Sequence, residues 1–287
     1  MNIINLPDIL VENAIVESSD VIFYYHIGHE AQYRSKITFD THCISLMITG
    51  RKQIYSSYQN FFYNNQDCLF FKSGNYLSTE LSPDKKPYHS ILIFFNQKAL
   101  NEFKHKYQSI LNSIKSAEGD GKYIRLKTDD YIENLKLVLA QKLRSNNGFS
   151  SELQRLKFEE TMLYLMERHG RKLVDFFESK TNQKTIDFVK KVVEENVHHA
   201  ISVEEMAFLC HMSKSTFKRT FFEIYKTAPG KWLREKRLDK SAYLLGVERK
   251  SPSLVFEEVG FASFSSFIQS FKKRFGTTPK QYQLNYK

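Results

Sequence analysis

Two stretches near the C-terminal end of the chain repeat one another at an offset of 50 residues. The first begins Ser213-Lys-Ser-Thr-Phe-Lys-Arg-Thr-Phe and runs to Pro229, and the second begins Ser263-Phe-Ser-Ser-Phe-Ile-Gln-Ser-Phe and runs to Pro279. The aromatic positions coincide as well: Phe217 with Phe267, Phe221 with Phe271, Tyr225 with Phe275, and Trp232 with Tyr282. A repeat of this detail predicts two copies of one supersecondary unit.

Each copy has the pattern of a helix-turn-helix. In the first, Ser202 predicts the N-cap of a short helix over 203–210, and Ser213 caps a second helix that ends near Tyr225. In the second copy the matching helices are predicted over 252–259 and 263–275. Pro229 begins a connecting helix of about 25 Å at 1.5 Å per residue. Such a rod could hold the second helices near one DNA turn apart, about 34 Å.

The positive charge of the chain is concentrated in the same region. Residues 181–287 contain 19 lysines and arginines against 11 acidic residues, a net +8 of the total +10. The preceding 180 residues are close to neutral at +2. A basic region beside a near-neutral one indicates a polyanionic partner, most commonly nucleic acid.

Residues 185–287 resemble the DNA-binding domain of the AraC/XylS family of bacterial transcription regulators. The most specific stretch is Val259–Pro279, and residues 232–238 with Leu244-Leu245 resemble the linker helix. The resemblance implies positive or negative control of bacterial promoters, and we expect activation more than repression. It maps base-reading positions, which with flanking polar and basic residues give the predicted DNA-binding set: Ser215, Thr216, Lys218, Arg219, Ser263, Phe264, Ser265, Ser266, Ile268, Gln269, Lys272 and Lys273.

The sequence departs from the family pattern at a few positions. Phe256 stands where a small residue is usual, Lys226 replaces a helix-ending glycine, and Phe222-Glu223 replaces a basic pair. Phe264 and Ile268 are apolar at base-reading positions. The second helix is therefore expected to read thymine methyl groups or groove shape rather than to make many hydrogen bonds.

The first 180 residues predict a second domain that is β-rich and then helical. Short β-branched and aromatic runs separated by turn residues favour a sandwich or barrel. We predict strands over 21–95, helices over 96–178 and a polar linker at Ser179–Lys184. The predicted class is α+β, with domains 1–180 and 181–287.

The first domain resembles a cupin-like (jelly-roll) sensor; the weak match runs from Gly50 to Gly74. The predicted strands are Val21–Tyr25, Cys43–Thr49, Gln53–Tyr58, Cys68–Lys72 and His89–Phe95, and the predicted helices are Asn96–Ser113, Thr128–Leu143 and Ser151–His169.

An apolar stripe in the second of these helices has the spacing of a packing face. The family resemblance places chain pairing here, so we predict a homodimer through this stripe. The same stripe could equally lie inside one subunit. Its members are Ile132, Leu135, Leu139 and Leu143.

Other function classes have less support from the residues. His26 and His29 are three apart and His42 and His89 are isolated, so neither a metal site nor a catalytic site is predicted, and no cofactor. A cupin-type metal enzyme, a DNA-alkyl acceptor and a non-specific architectural protein are the alternatives. Three widely spaced cysteines and no long apolar run indicate a cytoplasmic protein without a membrane partner. The expected partners are double-stranded DNA, RNA polymerase and a small-molecule or protein effector.

Overall fold

The computed structural model describes residues 3–13, 19–28, 33–57, 60–81, 87–114, 124–145, 148–170, 173, 176–177 and 185–286. The chain divides into two compact units, residues 1–182 and 183–287. The predicted linker at Ser179–Lys184 lies outside the described residues, as does His29. The predicted boundary at 180/181 stays a prediction about where the chain can be cut into independently folding domains.

The first unit contains two sheets that pack face to face. The open sheet has the order β1 (Ile3–Leu6), β3 (Ser35–Phe39), β8 (Gly74–Leu81), β5 (Arg51–Tyr55) and β6 (Asn60–Asn64). The covered sheet has the order β10 (Ile124–Lys127), β7 (Asp67–Phe71), β4 (His42–Thr49), β9 (Tyr88–Phe95) and β2 (Val21–Gly28). Among the described strands only β1 and β3 pair in parallel; the other pairings are antiparallel.

Strand β4 shows how the layers are built. Its alternate residues Cys43 and Met47 point into the core between the sheets, while Ile44 and Leu46 point into the core beneath the helices. All four are buried, because the covered sheet has a layer on each face. The order of layers in this unit is therefore open sheet, covered sheet, helices.

The helices of the first unit differ from the predictions at their ends. The helix predicted over Asn96–Ser113 is two helices that meet at Tyr107. The next begins after Asp129, not Thr128, because the Asp129 carboxylate accepts the backbone N–H of Ile132 at 3.1 Å. The observed helices are α1 (Asp8–Glu12), α2 (Gln97–Lys106), α3 (Gln108–Ser113), α4 (Asp130–Arg144) and α5 (Ser151–His169).

The apolar stripe of α4 packs inside the subunit. Ile132, Leu135 and Leu139 are at most 5% exposed and belong to the core between α4, α5 and the covered sheet. Leu143 is partly buried against the same core. The assignment of Ile132, Leu135 and Leu139 to a dimer interface is therefore corrected, because a side chain already buried in its own subunit offers no surface to a second one. For the partly buried Leu143 the assignment stays a prediction.

A buried ion pair lies within the open sheet, and a histidine of the covered sheet is hydrogen-bonded to it. Lys52 Nζ of β5 lies 3.1 Å from Glu80 Oε1 of β8, and His26 Nε2 of β2 lies 3.1 Å from the same oxygen. The Lys52 ammonium also lies 5.2 Å from the centre of the Tyr88 ring. Burial alone would raise the pKa of the Glu80 carboxyl, but the positive charge of Lys52 and the hydrogen bond from His26 lower that pKa to about 2.

His42 and His89 of this unit have aromatic neighbours. The His42 ring packs against Phe95 and Phe177, and the His89 ring lies beside Tyr25. In the described part of the chain, no three His, Cys, Asp or Glu side chains are grouped so that they could hold a metal ion. None of its helices is both long and apolar enough to cross a membrane.

The second unit is all helical across its described residues. Its order is α6 (Thr185–Asn196), α7 (Val203–Leu209), α8 (Lys214–Tyr225), α9 (Pro229–Gly246), α10 (Pro252–Glu258), α11 (Phe264–Phe275) and α12 (Pro279–Asn285). Together with the β-rich first unit this confirms the predicted α+β class and the two helix-turn-helix motifs joined by a long helix.

Candidate DNA-binding site

Serine caps fix where each recognition helix begins. Ser202 forms a capping box with Glu205 at the start of α7, and the Ser213 hydroxyl accepts the Thr216 N–H at 3.1 Å at the start of α8. In the second motif the Ser263 hydroxyl accepts the Ser266 N–H at 3.2 Å. The same local chemistry therefore ends the turn and starts the recognition helix in both copies.

The repeat in the sequence is also a repeat of ring contacts. In the first motif the Phe221 ring lies 5.7 Å from Phe217, 4.4 Å from Tyr225 and 5.6 Å from Trp232. In the second motif the matching distances from Phe271 are 5.7 Å, 4.5 Å and 5.3 Å, to Phe267, Phe275 and Tyr282. Equal packing beneath α8 and α11 holds the two recognition helices in equivalent positions on their own cores.

The outer face of α8 carries two exposed cations. Lys218 and Arg219 are both exposed, and neither forms an ion pair with another described residue. The hydroxyls of Ser215 and Thr216 behave differently, because they lie 2.9 and 2.8 Å from the capping Ser213 hydroxyl. The hydroxyls of Ser215 and Thr216 are therefore part of the helix cap, whereas the Lys218 and Arg219 side chains extend from α8 without an ion-pair partner among the described residues.

The outer face of α11 is partly aromatic. Phe264 is 39% exposed, and its ring lies 5.4 Å from Phe256, so the large residue at 256 supports an exposed ring at 264. Ile268 is half-buried against the core of this motif. The remaining predicted positions on this helix are exposed: Ser263, Ser265, Ser266, Gln269, Lys272 and Lys273.

A groove beside α8 contains basic residues that the sequence reasoning missed. It has a volume of about 500 Å³, and its lining includes Lys214, Lys218, Lys231, Phe222 and Pro229. Lys231 lies two residues into α9 and lines this groove together with Lys214, Lys218 and Phe222 of the recognition helix. Its place just after the helix-starting proline is the sequence signal that could have identified it.

The cysteines lack the features of an alkyl-accepting group. Cys43, Cys68 and Cys210 are all buried. Burial raises the pKa of the Cys68 thiol and of the Cys210 thiol to about 12. A nucleophilic thiol needs a lowered pKa, so these side chains are protonated and unreactive at neutral pH.

Two family models match the chain. The "ExsA N-terminal regulatory domain" matches residues 42–176, and a "Helix-turn-helix domain" matches residues 206–285. The chain belongs to the AraC/XylS family. As a member of that family it is a sequence-specific DNA-binding transcription regulator, with a regulatory domain N-terminal to the DNA-binding one.

Curated AraC/XylS relatives match across most of the chain. The virulence regulon transcriptional activator VirF of Yersinia enterocolitica is 26% identical over 246 residues, 83% of this chain and 88% of that protein. The HTH-type transcriptional activator CsvR of Escherichia coli is 24% identical over 261 residues, 88% of this chain and 91% of that protein. The chain is also similar to the crystal structure of apo ToxT K231A from Vibrio cholerae, with 11% identity and a TM-score of 0.42. That match includes 94% of this chain and 99% of the ToxT chain.

Proposed function

We propose that the protein activates transcription from bacterial promoters by placing α8 and α11 in successive major grooves of one DNA duplex. The observation that carries this proposal is the duplicated motif, with equal ring packing beneath each helix and exposed polar or cationic residues above it. Helix α9 joins the two motifs and has 18 residues, about 27 Å at 1.5 Å per residue. That length is of the order of one DNA turn, about 34 Å.

The residues divide by the part of DNA that each would contact. Lys218 and Arg219 lie on the outer face of α8 and would read base edges, with guanine the usual partner of such side chains. Phe264 would contact a thymine methyl from α11, with Ser265, Ser266 and Gln269 beside it. Lys214, Lys231, Lys272 and Lys273 would contact phosphates, which give affinity without base preference.

The first unit would regulate this binding in response to an effector, a small molecule or a regulatory protein. The match of residues 42–176 to a regulatory domain supports that role. The names of the Yersinia and Escherichia relatives as transcriptional activators support activation, in which the protein would contact RNA polymerase. Residues 183–287 would carry DNA binding by themselves, and the protein would act in the cytoplasm.

A second copy of the chain would pair with the first unit through the outward face of α4 and α5. Tyr131 near the start of α4 stacks on Tyr164 near the end of α5 at 3.8 Å, so the two helices run antiparallel. Their exposed apolar side chains include Leu137 at 69% and Leu156 at 57%. These leucines, with the exposed Val138 and Leu153, would supply the apolar surface that the buried stripe of α4 cannot provide.

Genome-wide footprinting followed by competition binding tests the proposed function. The full-length protein should protect two adjacent major grooves at particular promoters, and those promoter fragments should outcompete random DNA at least about 10³-fold. Protection without any preference over random DNA would instead indicate a non-specific architectural protein. Transcription from a protected promoter in the presence and absence of the protein then separates activation from repression.

A further inference from the structure

The two helix-turn-helix motifs touch each other directly at two turns. Gly260 lies in the turn between α10 and α11, with φ of 75°. A Cβ atom built on Gly260 would lie 2.0 Å from the Cβ and 2.7 Å from the Cα of Ala200, which precedes α7 of the first motif. A side chain at position 260 would overlap Ala200, so the two turns are as close as a glycine facing an alanine allows.

One arginine of the connecting helix holds both turns. Arg237 lies at the middle of α9 and is partly buried. Its Nη1 donates a hydrogen bond to the Gly260 carbonyl at 3.1 Å, and its Nη2 donates one to the Ile201 carbonyl at 2.8 Å. The guanidinium is planar with donors at fixed angles, so one side chain fixes the distance and direction between one carbonyl of each motif.

Two neighbouring contacts connect the same helix to the same motifs. Lys240 lies about one turn after Arg237 on α9. Its Nζ donates a hydrogen bond at 2.9 Å to the carbonyl of His198, in the segment before α7. Asp239 forms an ion pair with Arg274 near the end of α11. Around Arg237, therefore, α9 is bonded on one side to the first motif and on the other to the second recognition helix.

We infer that this brace, formed by Arg237 with Ala200, Ile201 and Gly260, determines the spacing between the two halves of the DNA site. One added base pair moves a half-site by about 3.4 Å and turns it by about 34°, since B-DNA has about 10.5 base pairs per turn. A rigid brace cannot follow that change, whereas motifs joined by α9 alone could adjust. Arg237 is a positioning residue, because it acts through the two turns and not on DNA. The inference depends on the proposed two-groove binding.

The test measures binding of the full-length protein to a series of duplexes. Each duplex carries the two half-sites with the spacing shortened or lengthened by one or two base pairs, and one duplex carries a single half-site. Wild type should prefer one spacing over its neighbours by about tenfold or more. Arg237→Met removes both donors and should reduce that preference to below about threefold, with single half-site affinity unchanged.

Two further variants make the result specific. Arg234→Met is the matched control: it makes the same chemical change three residues earlier on α9, at an exposed side chain, and should keep the wild-type preference. Arg237→Lys keeps the charge and the stem but cannot place donors on both carbonyls, and replaces Arg237→Met if circular dichroism shows that the latter is unfolded.

The outcomes separate this inference from the function on which it depends. A folded Arg237 variant that keeps the wild-type spacing preference overturns the brace while leaving two-groove binding intact. A wild-type protein that protects both grooves but binds every spacing alike also overturns the brace alone, whereas one that protects a single groove overturns both. Loss of preference in Arg237→Met together with retention in Arg234→Met is the expected result.

Discussion

Lys226 and Gly276, 50 residues apart, end the two recognition helices in the same left-handed conformation, with φ of 54° and 76°. Each closes its helix in the same way: the Lys226 N–H donates to the Phe222 carbonyl at 2.9 Å, and the Gly276 N–H donates to Lys272 at 2.9 Å. A residue with a Cβ is strained in this conformation and glycine is not. The first motif therefore carries a strain that the second lacks.

Replacing Lys226 with Gly should raise the stability of the second unit by about 1 kcal/mol, because the strain at the helix end is relieved. Gly276→Ala is the matched reverse change and should lower stability by a similar amount. A Cβ at Gly276 would meet no atom within 4 Å, so this variant reports conformation alone. Thermal unfolding of each variant measures the effect, and a Lys226→Gly protein that melts below wild type would contradict this account.

The covered sheet could be predicted from the sequence, and most of the open sheet could not. The predicted strands overlap β2, β4, β7 and β9, whereas β10 of the same sheet was not predicted. Strands β4, β7 and β9 are mostly buried on both faces and therefore read as apolar runs. In the open sheet only β5 was predicted. Strands such as β8 contain glycine, asparagine, serine and glutamate, and their pairing depends on neighbours distant in sequence, which no local pattern records.

The recognition helices were predicted well because the repeat fixed two copies at once. The burial of the α4 stripe within one subunit was not predicted, because a buried stripe and an interface stripe have the same spacing on a helix. Leu135 and Leu139 alternate with Leu137 and Val138 along α4, and only the tertiary structure shows which pair faces the sheet. The brace at Arg237 left no sequence signal either, since its acceptors are backbone carbonyls.

Lys218 and Lys231 are expected to affect DNA binding in different ways. Lys218→Ala should weaken binding to the natural site by about 1–3 kcal/mol and weaken binding to random DNA less, because it removes a base contact. Lys231→Ala should weaken both equally and reduce the slope of log K against log salt by about 0.9, because it removes a phosphate contact. Fluorescence anisotropy at several salt concentrations measures both; equal losses for Lys218→Ala would reassign it to a phosphate.

Phe264 is expected to recognise a thymine methyl group. Replacing each thymine of the second half-site in turn by deoxyuridine should identify one position where wild type loses about three- to tenfold in affinity. Phe264→Ala should bind more weakly and be indifferent to that replacement, because its contact with the methyl is already gone. Ser265→Ala, next to it on the exposed face, serves as the control and should keep the sensitivity. A Phe264→Ala protein that still distinguishes thymine from uracil there would rule out the contact.

The buried ion pair between Lys52 and Glu80 should make the first unit sensitive to acid and to the loss of one partner. The pKa of Glu80 in the folded protein is about 2, below the unfolded value of about 4.3, so the pair stabilises the fold above about pH 4 and this contribution is lost as pH falls toward 2. Lys52→Met leaves Glu80 buried without its cation and should cost about 3–5 kcal/mol at neutral pH.

The matched double variant Lys52→Met with Glu80→Met should recover most of that loss, since no charge is then left buried. Urea unfolding at about pH 7 and about pH 3 measures the effect. The cost of Lys52→Met should be smaller in acid, because without the Lys52 charge the Glu80 carboxyl of that variant takes up a proton. A double variant no more stable than Lys52→Met would show that packing, not charge, determines the loss.

Pairing through the outward face of α4 and α5 can be separated from folding by choosing side chains on opposite faces of α4. Leu137→Asp combined with Leu156→Asp should produce folded monomers, because both side chains are exposed in one subunit and would be buried only between two. Leu139→Asp should instead unfold the first unit, since Leu139 is 0% exposed in its core. Sedimentation velocity gives the mass and circular dichroism the fold.

The folded monomer should also lose the extra affinity of the wild type for paired sites, because tethering of a second DNA-binding unit is removed while each unit is unchanged. A wild-type protein that sediments as a monomer with and without DNA would exclude the dimer, and a double variant that remains dimeric would place the interface elsewhere.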